Sequence, residues 1–545
     1  MSLFDDILRS RGITPDNRAL FITPDYSQRH DPFLLPDMAA AVDRLVRARE
    51  SQDRITIYGD YDIDGLTATT LLLDAFEQFG FKNVTPFIPN RFVEGYGLTV
   101  EAIERIAADG AQLIVTVDCG SLSHKEIERA NELGVDVIVT DHHNVALTPP
   151  PAIATINPKR TDHDYPFIDL AGVGVAFKLV QALQTRLDGL PPGQEKWLLD
   201  LVALGTVCDV VTLVDENRTN VYWGLKVLSK TRRPGLRALM SVAGVRPETV
   251  NARSLGFGLG PRMNAAGRLE TATHALDMLT AETASEALRF AEQLDRMNLE
   301  RRADQDKIFK AAQFQAEMYT NDPVLVVSAP DWNHGIVGIV AAKLLEKYRK
   351  PTFVLQEMTD QAKGSARSYG DFSAADAIRA ADDIITKGGG HKLAAGVTLD
   401  PSRIGDFRRR VNEFYRELGL EDQIRYLLPT ADVAATFNDL TEELVEQIAT
   451  LEPFGNGNPQ PVLKTVGAIV MTTRRMGADG QHVKLRLEND NRTIEMLAFN
   501  APDHFFVETG NRVDVWYHLD INEWNGNRSV EGKLLHLELS QPIID

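Results

Sequence analysis

The feature that most constrains the fold is an alternation of short β-branched runs with helical patterns over residues 54–140. The runs predict strands at 54–58, 84–88, 113–117 and 135–140, and the segments between them predict helices at 66–79, 99–109 and 122–133. Helices that connect successive strands are typical of a parallel sheet covered on both faces. In such a sheet, ligands bind beyond the carboxyl ends of the strands.

Acidic residues follow three of the predicted strands. They are Asp60, Asp62 and Asp64 after the first strand, Asp118 after the third, and Asp141-His142-His143 after the fourth. Parallel strands in register would bring these side chains to one edge of the sheet. Carboxylates crowded in a partly dry cleft are strongly destabilising unless cations neutralise them, and so many acids favour two ions over one. Carboxylates with one or two imidazoles suit Mn²⁺ or Mg²⁺.

Bulk properties narrow the class of protein further. We expect Cys119 and Cys208 to be small buried residues and not metal ligands. A chain with only two cysteines fits a reducing cytoplasm. The sequence contains no apolar run long enough to span a bilayer, and its N-terminus is acidic where a signal peptide would be basic. The net charge of −19 argues against a protein that coats nucleic acid, but it permits an enzyme with a basic groove.

The rest of the chain predicts further domains. Helical patterns at 171–187 and 195–207 precede Asp209, and GLGPRMNAAGR at 258–268 predicts a glycine-bounded loop. Residues 274–318 predict either a long connector helix or a broken pair of helices. Strands at 323–328 and 351–355 with a helix at 336–347 predict a smaller α/β domain. Short alternating segments at 483–488, 493–498, 512–518 and 529–539 predict an antiparallel barrel or sandwich.

Three short motifs, GDYDIDG, VDCG and TDHHN, together resemble the DHH phosphoesterase superfamily and, within it, the RecJ family of bacterial single-stranded-DNA exonucleases. The resemblance continues in order through GTVCDVV, GPRMNAAGR, NHGIVGIVAAKL, SARS, GGGHKLAAG and LEPFGNGNPQP. It therefore spans nearly the whole chain.

The resemblance implies an α/β multidomain fold with a parallel-sheet catalytic domain. Its parts would be an N-terminal segment packing on the catalytic domain (1–50), the DHH catalytic domain (51–270), a connector helix (271–322), a smaller α/β DHH-associated domain (323–424) and a C-terminal OB-fold β-barrel (425–545). It also implies a cleft between the two α/β domains that admits only single strands.

The resemblance further implies roles for individual residues. Two divalent cations would be held by Asp62, Asp64, Asp118, His142 and Asp209, and His143 would lie against the scissile phosphate. Tyr58 stands where many superfamily members have a histidine, so Asp60 is an additional candidate ligand. A pocket for the 5′-terminal phosphate would comprise Arg268, Ser365 and Arg367, supported by Arg262 and Asn264, and His391 would meet a backbone phosphate.

The implied function is a single-stranded-DNA-specific 5′→3′ exonuclease that releases 5′-mononucleotides in DNA recombination and repair. We expect a monomer, with a single-strand-binding protein and a helicase as candidate partners and no membrane contact. In the barrel, Trp516, Tyr517 and Trp524 are candidates for stacking on bases, although one of the adjacent pair should belong to the core.

Two alternatives stay open at this stage. One is a small-substrate DHH phosphodiesterase that acts on short oligonucleotides or cyclic dinucleotides, against which the predicted barrel argues. The other is a non-catalytic replication or repair binding protein, against which the complete set of acids argues.

Overall fold

The computed structural model describes residues 2–420, 423–524 and 526–540, and the side chain of Trp524 falls outside that description. The strands are β1 (Ile55–Gly59), β2 (Val84–Phe87), β3 (Leu113–Val117), β4 (Asp136–Thr140), β5 (Ala154–Ile156), β6 (Leu325–Ala329), β7 (Thr352–Glu357), β8 (Ala362–Arg367), β9 (Ile385–Gly390), β10 (Ala394–Leu399), β11 (Val433–Ala434), β12 (Leu463–Met476), β13 (His482–Asn489), β14 (Arg492–Ala498), β15 (Arg512–Trp524) and β16 (Asn527–Leu539).

The helices complete the description. They are α1 (Leu3–Ser10), α2 (Pro15–Ile22), α3 (Met38–Ser51), α4 (Ile63–Gln78), α5 (Val100–Ala108), α6 (His124–Glu132), α7 (Gly172–Leu183), α8 (Leu199–Cys208), α9 (Asp215–Leu228), α10 (Pro234–Ala243), α11 (Gly260–Leu269), α12 (Thr273–Thr280), α13 (Ala284–Met318), α14 (Val337–Tyr348), α15 (Ala374–Arg379), α16 (Ile404–Glu417) and α17 (Glu442–Ala449). Within the described residues, no helix combines the length and the apolar character needed to cross a bilayer.

The first sheet confirms the predicted parallel architecture. Its strand order is β2-β1-β3-β4-β5, and all neighbouring strands run parallel. β1 and β3 are buried along their whole length, as is typical of strands covered on both faces. On one face, Ile103 of α5 and Ile127 of α6 belong to the same core cluster as Ile114 and Val137. The carboxyl ends of β1, β3 and β4 therefore meet at one edge.

The segment GLGPRMNAAGR is helical, so the predicted loop is wrong. A π-helical turn at Ser254–Leu259 runs directly into α11. Gly260 serves close packing here, because a Cβ at that position would lie 2.8 Å from the Sγ atom of Cys208. The glycines that suggested a loop therefore allow two helical segments to approach each other.

The helical pattern at 274–318 forms two helices. α12 ends at Thr280, and the side chain of Thr283 caps the start of α13 by accepting a hydrogen bond from the backbone N–H of Glu286 at 3.2 Å. α13 is then a single helix of 35 residues. Ile308 of α13 shares a core cluster with Val340 of α14, so this helix packs on the second α/β region.

The second sheet has the strand order β6-β7-β8-β10-β9. β6 and β7 are parallel and the other neighbours are antiparallel. The Gly triplet 388–390 lies in the edge strand β9. The turn follows it, at 391–393, and leads into β10.

The third sheet confirms the predicted barrel. Strands β12 to β16 form it, and an additional pairing of β12 with β15 closes it. The Tyr517 side chain is fully buried and its hydroxyl lies 2.8 Å from the Thr465 hydroxyl, which identifies the core member of the aromatic pair. Trp516 is half-buried, and the ammonium group of Lys464 lies 4.1 Å from the centre of its ring. Trp524 cannot be placed in this way, since its side chain lies outside the described part of the chain.

The chain forms two compact units. One contains the described residues up to His30, together with Val210–Trp223 and those from Leu428 onward, and the other contains Asp31–Asp209 and Gly224–Leu427. Residues 1–50 were expected to pack on the catalytic domain, whereas the described residues up to His30 belong to the unit that contains the barrel. Phe4 and Ile7 lie on the apolar face of α1 and are buried in one core with Phe437 and Leu463, which explains why this segment joins the barrel.

Candidate metal centre and phosphate pocket

The acids predicted to share an edge of the first sheet converge there. Asp60 and Asp62 follow β1, Asp118 follows β3 and His142 follows β4. Asp118 has a left-handed backbone with a φ of +61°, and its N–H donates to the carbonyl of Thr140 at 2.9 Å. Strain of this kind in a residue other than glycine persists only where the surroundings enforce it, and it is frequent at functional sites.

Three overlapping groups of side chains could each hold a cation. They are Asp60 with Asp62 and Asp118, Asp64 with His142 and Asp209, and Asp118 with His142 and His143, and within each group the ligand atoms lie within 4.8 Å of one another. Asp118 and His142 belong to two groups each. The Nε2 atom of His142 lies 3.1 Å from Asp118 Oδ1, 3.6 Å from Asp209 Oδ2 and 3.8 Å from Asp64 Oδ2.

Several ligand atoms at the centre are buried and lack a hydrogen bond, although some of them lie close to one another. Asp60 Oδ1, Asp118 Oδ1 and His142 Nε2 make no hydrogen bond with any described residue. Buried polar atoms are normally paired, and an unpaired one costs about 1–3 kcal/mol. Oxygen and imidazole donors that point into a common space suit a divalent cation such as Mn²⁺ or Mg²⁺, so these residues fit the implied metals.

Asp64 is fixed by the start of helix α7. Its two carboxylate oxygens accept hydrogen bonds from the backbone N–H groups of Gly172 at 2.6 Å and Val173 at 2.9 Å. These donors favour the charged carboxylate, but burial and the charge of Asp62 outweigh them and raise the pKa of Asp64 to about 7. Gly172 permits this arrangement, because a Cβ there would lie 2.7 Å from Asp118 Oδ1.

Burial also shifts the pKa values of other ligand candidates and of the two cysteines. Burial, together with the charges of Asp64 and Asp62, raises the pKa of Asp209 to about 9. Burial lowers the pKa of His142 to about 3, so its imidazole is neutral at physiological pH and its ring nitrogen can bind a metal. Burial also raises the pKa of both cysteine thiols, so neither offers a thiolate to the centre.

Asp141 organises the turn that carries the two histidines. Its Oδ1 accepts hydrogen bonds from the backbone N–H groups of His142 at 2.7 Å and His143 at 3.1 Å, and its Oδ2 accepts one from the N–H of Ser121 at 2.9 Å. His143 Nδ1 lies 2.9 Å from Asp141 Oδ1 and 3.0 Å from the Tyr96 hydroxyl. The ring of His143 is thus oriented from its Nδ1 side, and its side chain is 40% exposed.

Tyr58 does not occupy a ligand position. Its hydroxyl donates a hydrogen bond to the carbonyl of Gly97 at 3.0 Å, and its ring stacks on Phe87 with a centroid separation of 4.8 Å. Asp60, by contrast, lies in a candidate group with Asp62 and Asp118. This geometry is compatible with Asp60 as the additional ligand.

An arginine cluster adjoins the acidic centre. Burial and the nearby charges of Arg91, Arg301 and Arg367 lower the pKa of Arg268 to about 10, while the charge of Asp62 opposes that change. Arg268 donates to the carbonyl of Gly335 at 2.9 Å. Guanidinium groups that repel one another in a partly dry site are stabilised by an anion, and arginine binds phosphate through paired hydrogen bonds.

Tyr61 contacts the arginine cluster and lies between Asp60 and Asp62 in the chain. The guanidinium of Arg91 lies 4.4 Å from the centre of the Tyr61 ring. A Cβ on Gly267 would lie 3.2 Å from the Tyr61 carbonyl, so α11 approaches the chain between Asp60 and Asp62. The positive and negative groups are therefore neighbours in one site.

The second sheet arranges the remaining predicted phosphate ligands side by side. Ser365 and Arg367 are two residues apart on β8, so their side chains lie on one face. Ser365 pairs with Gly396 of β10, and Arg367 pairs with Ala394. His391 is exposed in the turn before β10, and its N–H donates to the Ala394 carbonyl at 2.8 Å.

Arg262 and Asn264 have supporting positions. The Arg262 guanidinium is engaged by the Asp295 carboxylate of α13 at 2.8 Å and by the Gly258 carbonyl at 2.7 Å. Asn264 lies half-buried on α11, one turn before Arg268 and on the same side of the helix. Arg262 thus fastens α11 to the connector helix.

Sequence reasoning missed three residues of the site, namely Arg91, Tyr96 and Arg301. Arg91 and Tyr96 lie in the segment PNRFVEGYGL, whose asparagine and glycines look like ordinary loop chemistry. Arg301 lies within a charged helical run, and its Nε atom is buried with no hydrogen-bond partner among the described residues. Only the fold reveals that these side chains face the predicted ones.

Comparison with protein-family models finds three matches in the same order as the elements above. Residues 54–206 match the DHH family N-terminal domain, residues 321–417 match the DHHA1 domain, and residues 431–536 match the RecJ OB domain. The first of these spans all the acids except Asp209.

Close relatives and a solved structure match most of the chain. The chain is 37% identical to the single-stranded-DNA-specific exonuclease RecJ of Bacillus subtilis, over 96% of this chain and 66% of that protein. It is 35% identical to the exonuclease of the same name from Salmonella typhimurium, over 90% of this chain and 88% of that one. It is also similar to the crystal structure of RecJ in complex with Mn²⁺ from Thermus thermophilus, with a TM-score of 0.86, 31% identity, and coverage of 99% of this chain and 76% of that chain.

Proposed function

The chain belongs to the RecJ family of single-stranded-DNA-specific exonucleases, and on that premise we propose that it degrades single-stranded DNA from the 5′ end to 5′-mononucleotides. The observation that carries the proposal is the pairing of a metal-binding acidic centre with an adjoining arginine cluster. The acids supply the hydrolytic site. The arginines supply a place for the phosphate at the end of the strand.

The candidate ligands divide between two cations. Asp60 and Asp62 would hold one ion, Asp64 and Asp209 the other, and Asp118 and His142 contribute to both sides of the centre. Two bound Mn²⁺ or Mg²⁺ ions supply an acidified water and neutralise charge on the phosphate oxygens. Asp118 would help to hold both ions, since it belongs to two of the candidate groups.

His143 is proposed to contact the phosphate under attack. Its side chain is partly exposed while its neighbour His142 is buried. Asp141 and the Tyr96 hydroxyl hold its Nδ1 side, which leaves Nε2 to donate a hydrogen bond to a non-bridging oxygen. Although burial opposes the charge, Asp141, Asp60 and Asp62 raise the pKa of His143 and so favour the charged ring.

The arginine cluster is proposed to set the position of the first nucleotide. Arg268, Arg367 and Ser365 would bind the 5′-terminal phosphate, and Arg91 would complete the pocket. A terminal phosphate carries more charge than an internal one, so converging guanidinium groups favour a strand end. A phosphate held by arginines that adjoin the acidic centre would bring the first nucleotide to the acids, as cleavage from the 5′ end requires.

The barrel and the cellular setting extend this proposal. Trp516 and Lys464 form an aromatic and cationic pair of the kind that binds single strands by stacking and charge.

We propose a role in DNA recombination and repair in the cytoplasm, with a monomeric enzyme receiving strands from a helicase and a single-strand-binding protein.

The test uses a single-stranded DNA oligonucleotide labelled at its 3′ end, with and without a 5′-phosphate, in Mn²⁺ or Mg²⁺. We expect a ladder of shortening 3′-labelled products that is weak on duplex DNA and absent with Asp118→Ala. Arg367→Ala should lose the preference for the 5′-phosphate, whereas Arg410→Ala, a control arginine that pairs with Asp383 and has no role in the pocket, should keep it. An intact oligonucleotide alongside cleaved dinucleotides would instead indicate the small-substrate phosphodiesterase, and no cleavage of either would indicate a binding protein.

A further inference from the structure

We propose that Asn456, in the segment FGNGNP, is a positioning residue for the metal ligand Asp209. It would act by holding the left-handed turn at Val210 that ends helix α8. This inference rests on the proposed role of Asp209 in the metal centre, and it assigns a task to a motif that the hydrolytic site leaves unexplained.

Helix α8 ends in an unusual way. Asp209 is its C-cap residue, and the Asp209 N–H still donates to the Gly205 carbonyl at 2.9 Å. The next residue, Val210, has a φ of +63°. Glycine normally occupies this left-handed position after a helix, and a β-branched residue there is strongly disfavoured by crowding of its side chain. The turn at Val210 therefore needs support from elsewhere in the fold.

Asn456 supplies that support through two hydrogen bonds. Its side-chain Nδ2 donates to the Val210 carbonyl at 3.0 Å, and its own carbonyl accepts from the Leu213 N–H at 2.7 Å. The two bonds span the chain from 210 to 213, and all three residues lie in the same compact unit. A single residue thus fixes both ends of the turn.

The segment that carries Asn456 is itself rigid. Gly455 and Asn458 exchange backbone hydrogen bonds of 2.9 and 3.1 Å, and Gly457 between them has a φ of +73°. The Asn458 side chain is buried and donates to the carbonyls of Leu451 and Pro453, both at 2.9 Å. Such a braced turn can impose a strained conformation on the chain that it binds.

The expected consequence is a change in metal affinity. Without the Asn456 donor, the last turn of α8 would open and carry Asp209 away from His142 for part of the time. Apparent affinity falls in proportion to the fraction of molecules in the binding-competent state. Steric crowding of a residue other than glycine in the left-handed conformation changes that fraction by a factor of about 5–30. We therefore expect the affinity for Mn²⁺ to fall by the same factor.

The experiment measures Mn²⁺ binding to the full chain by the electron paramagnetic resonance signal of the free ion. Asn456→Ala should weaken binding about 5–30-fold, and Val210→Gly in the same molecule should restore it because glycine adopts the turn without crowding. The Mn²⁺ concentration for half-maximal activity should rise by the same factor, with kcat at saturating Mn²⁺ close to the wild-type value. Asn438→Ala is the matched control, since Asn438 Nδ2 also donates to a backbone carbonyl, that of Asp490 at 3.1 Å, and makes no bond to the turn at 210–213.

The outcomes separate this inference from the proposed function. If Asp209→Asn binds Mn²⁺ as tightly as the wild type, the ligand assignment itself fails. If Asp209→Asn weakens binding but Asn456→Ala behaves like Asn438→Ala, or Val210→Gly restores nothing, the positioning role is overturned. Should Asn456→Ala not fold, Val210→Gly alone decides the matter: a raised Tm supports a strained turn at 210, and a lowered Tm overturns it.

Discussion

Stability of the metal-free protein should fall as the pH rises, and saturating Mn²⁺ should remove that fall. The effect is clearest for Asp64, whose side chain is wholly buried. Burial and the charge of Asp62 raise the pKa of Asp64 to about 7. In the unfolded chain an aspartate has a pKa of about 3.9. Between these values the folded protein holds a proton that the unfolded chain releases, so each step upward in pH favours unfolding.

The magnitude follows from the size of that window. Roughly three pKa units at 1.36 kcal/mol each give a loss on the order of 4 kcal/mol from Asp64 alone between about pH 4 and pH 7. Above pH 7 its contribution is constant, because the carboxylate is then charged in both states. Asp209, with a pKa of about 9, extends the loss to higher pH.

The assay is urea unfolding at pH 5 and pH 8, each in EDTA and in saturating Mn²⁺. We expect the stabilisation by Mn²⁺ to be larger at pH 8 by several kcal/mol, since the ion then neutralises charges that the fold alone cannot accommodate. Asp64→Asn in EDTA should show a flatter pH dependence than the wild type. An EDTA profile that rises from pH 5 to pH 8 in the wild type and is unchanged by Asp64→Asn would refute the reasoning.

Three further predictions concern packing, recognition and the N-terminal helix. Gly172→Ala should lower Mn²⁺ affinity at least tenfold by isothermal titration, since its Cβ would lie 2.7 Å from Asp118 Oδ1, whereas Gly174→Ala on the same helix meets its nearest neighbour at 3.4 Å and should be tolerated. Arg367→Lys should raise KM for 5′-phosphorylated oligonucleotides about tenfold in steady-state assays with little change in kcat, because lysine cannot form the paired contacts of arginine. Ile7→Ala should destabilise the barrel unit by about 2–5 kcal/mol in urea unfolding, since Ile7 is fully buried in the barrel core.

The acidic centre could be predicted from the sequence because the signal is local. Residues that follow a strand in a parallel sheet must emerge at its carboxyl edge, so the strand pattern alone was enough to group Asp62, Asp118 and His142. The barrel was predictable for the same reason, since alternation along a strand sets which side chains face the core. Tyr517 and Trp516 separated into core and surface as adjacent strand positions must.

What the sequence could not predict depended on glycine and on distant partners. Gly260 was assigned to a loop, but its lack of a side chain allows two helical segments to pack closely. A glycine in the sequence indicates only that a side chain would not fit at that position. The neighbouring atoms that would clash with it are visible only in the fold. The core that α1 joins was likewise not visible in its sequence, because an amphipathic pattern shows that one face of a helix is buried without showing which residues cover it.

The motif TDHHN contains one acid, Asp141, whose contacts suit the turn better than a cation. Burial alone would raise the pKa of Asp141, but hydrogen bonding to His143 and the charges of both histidines hold it well below the ordinary value. Its oxygens already accept hydrogen bonds from Ser121, His142 and His143, which leaves little capacity for a cation. The carboxylates that do face the centre have raised pKa values and unpaired oxygens, as at Asp118. The pKa of Asp141, which builds the turn, is therefore lowered, whereas the pKa values of the acids available to bind the ions are raised.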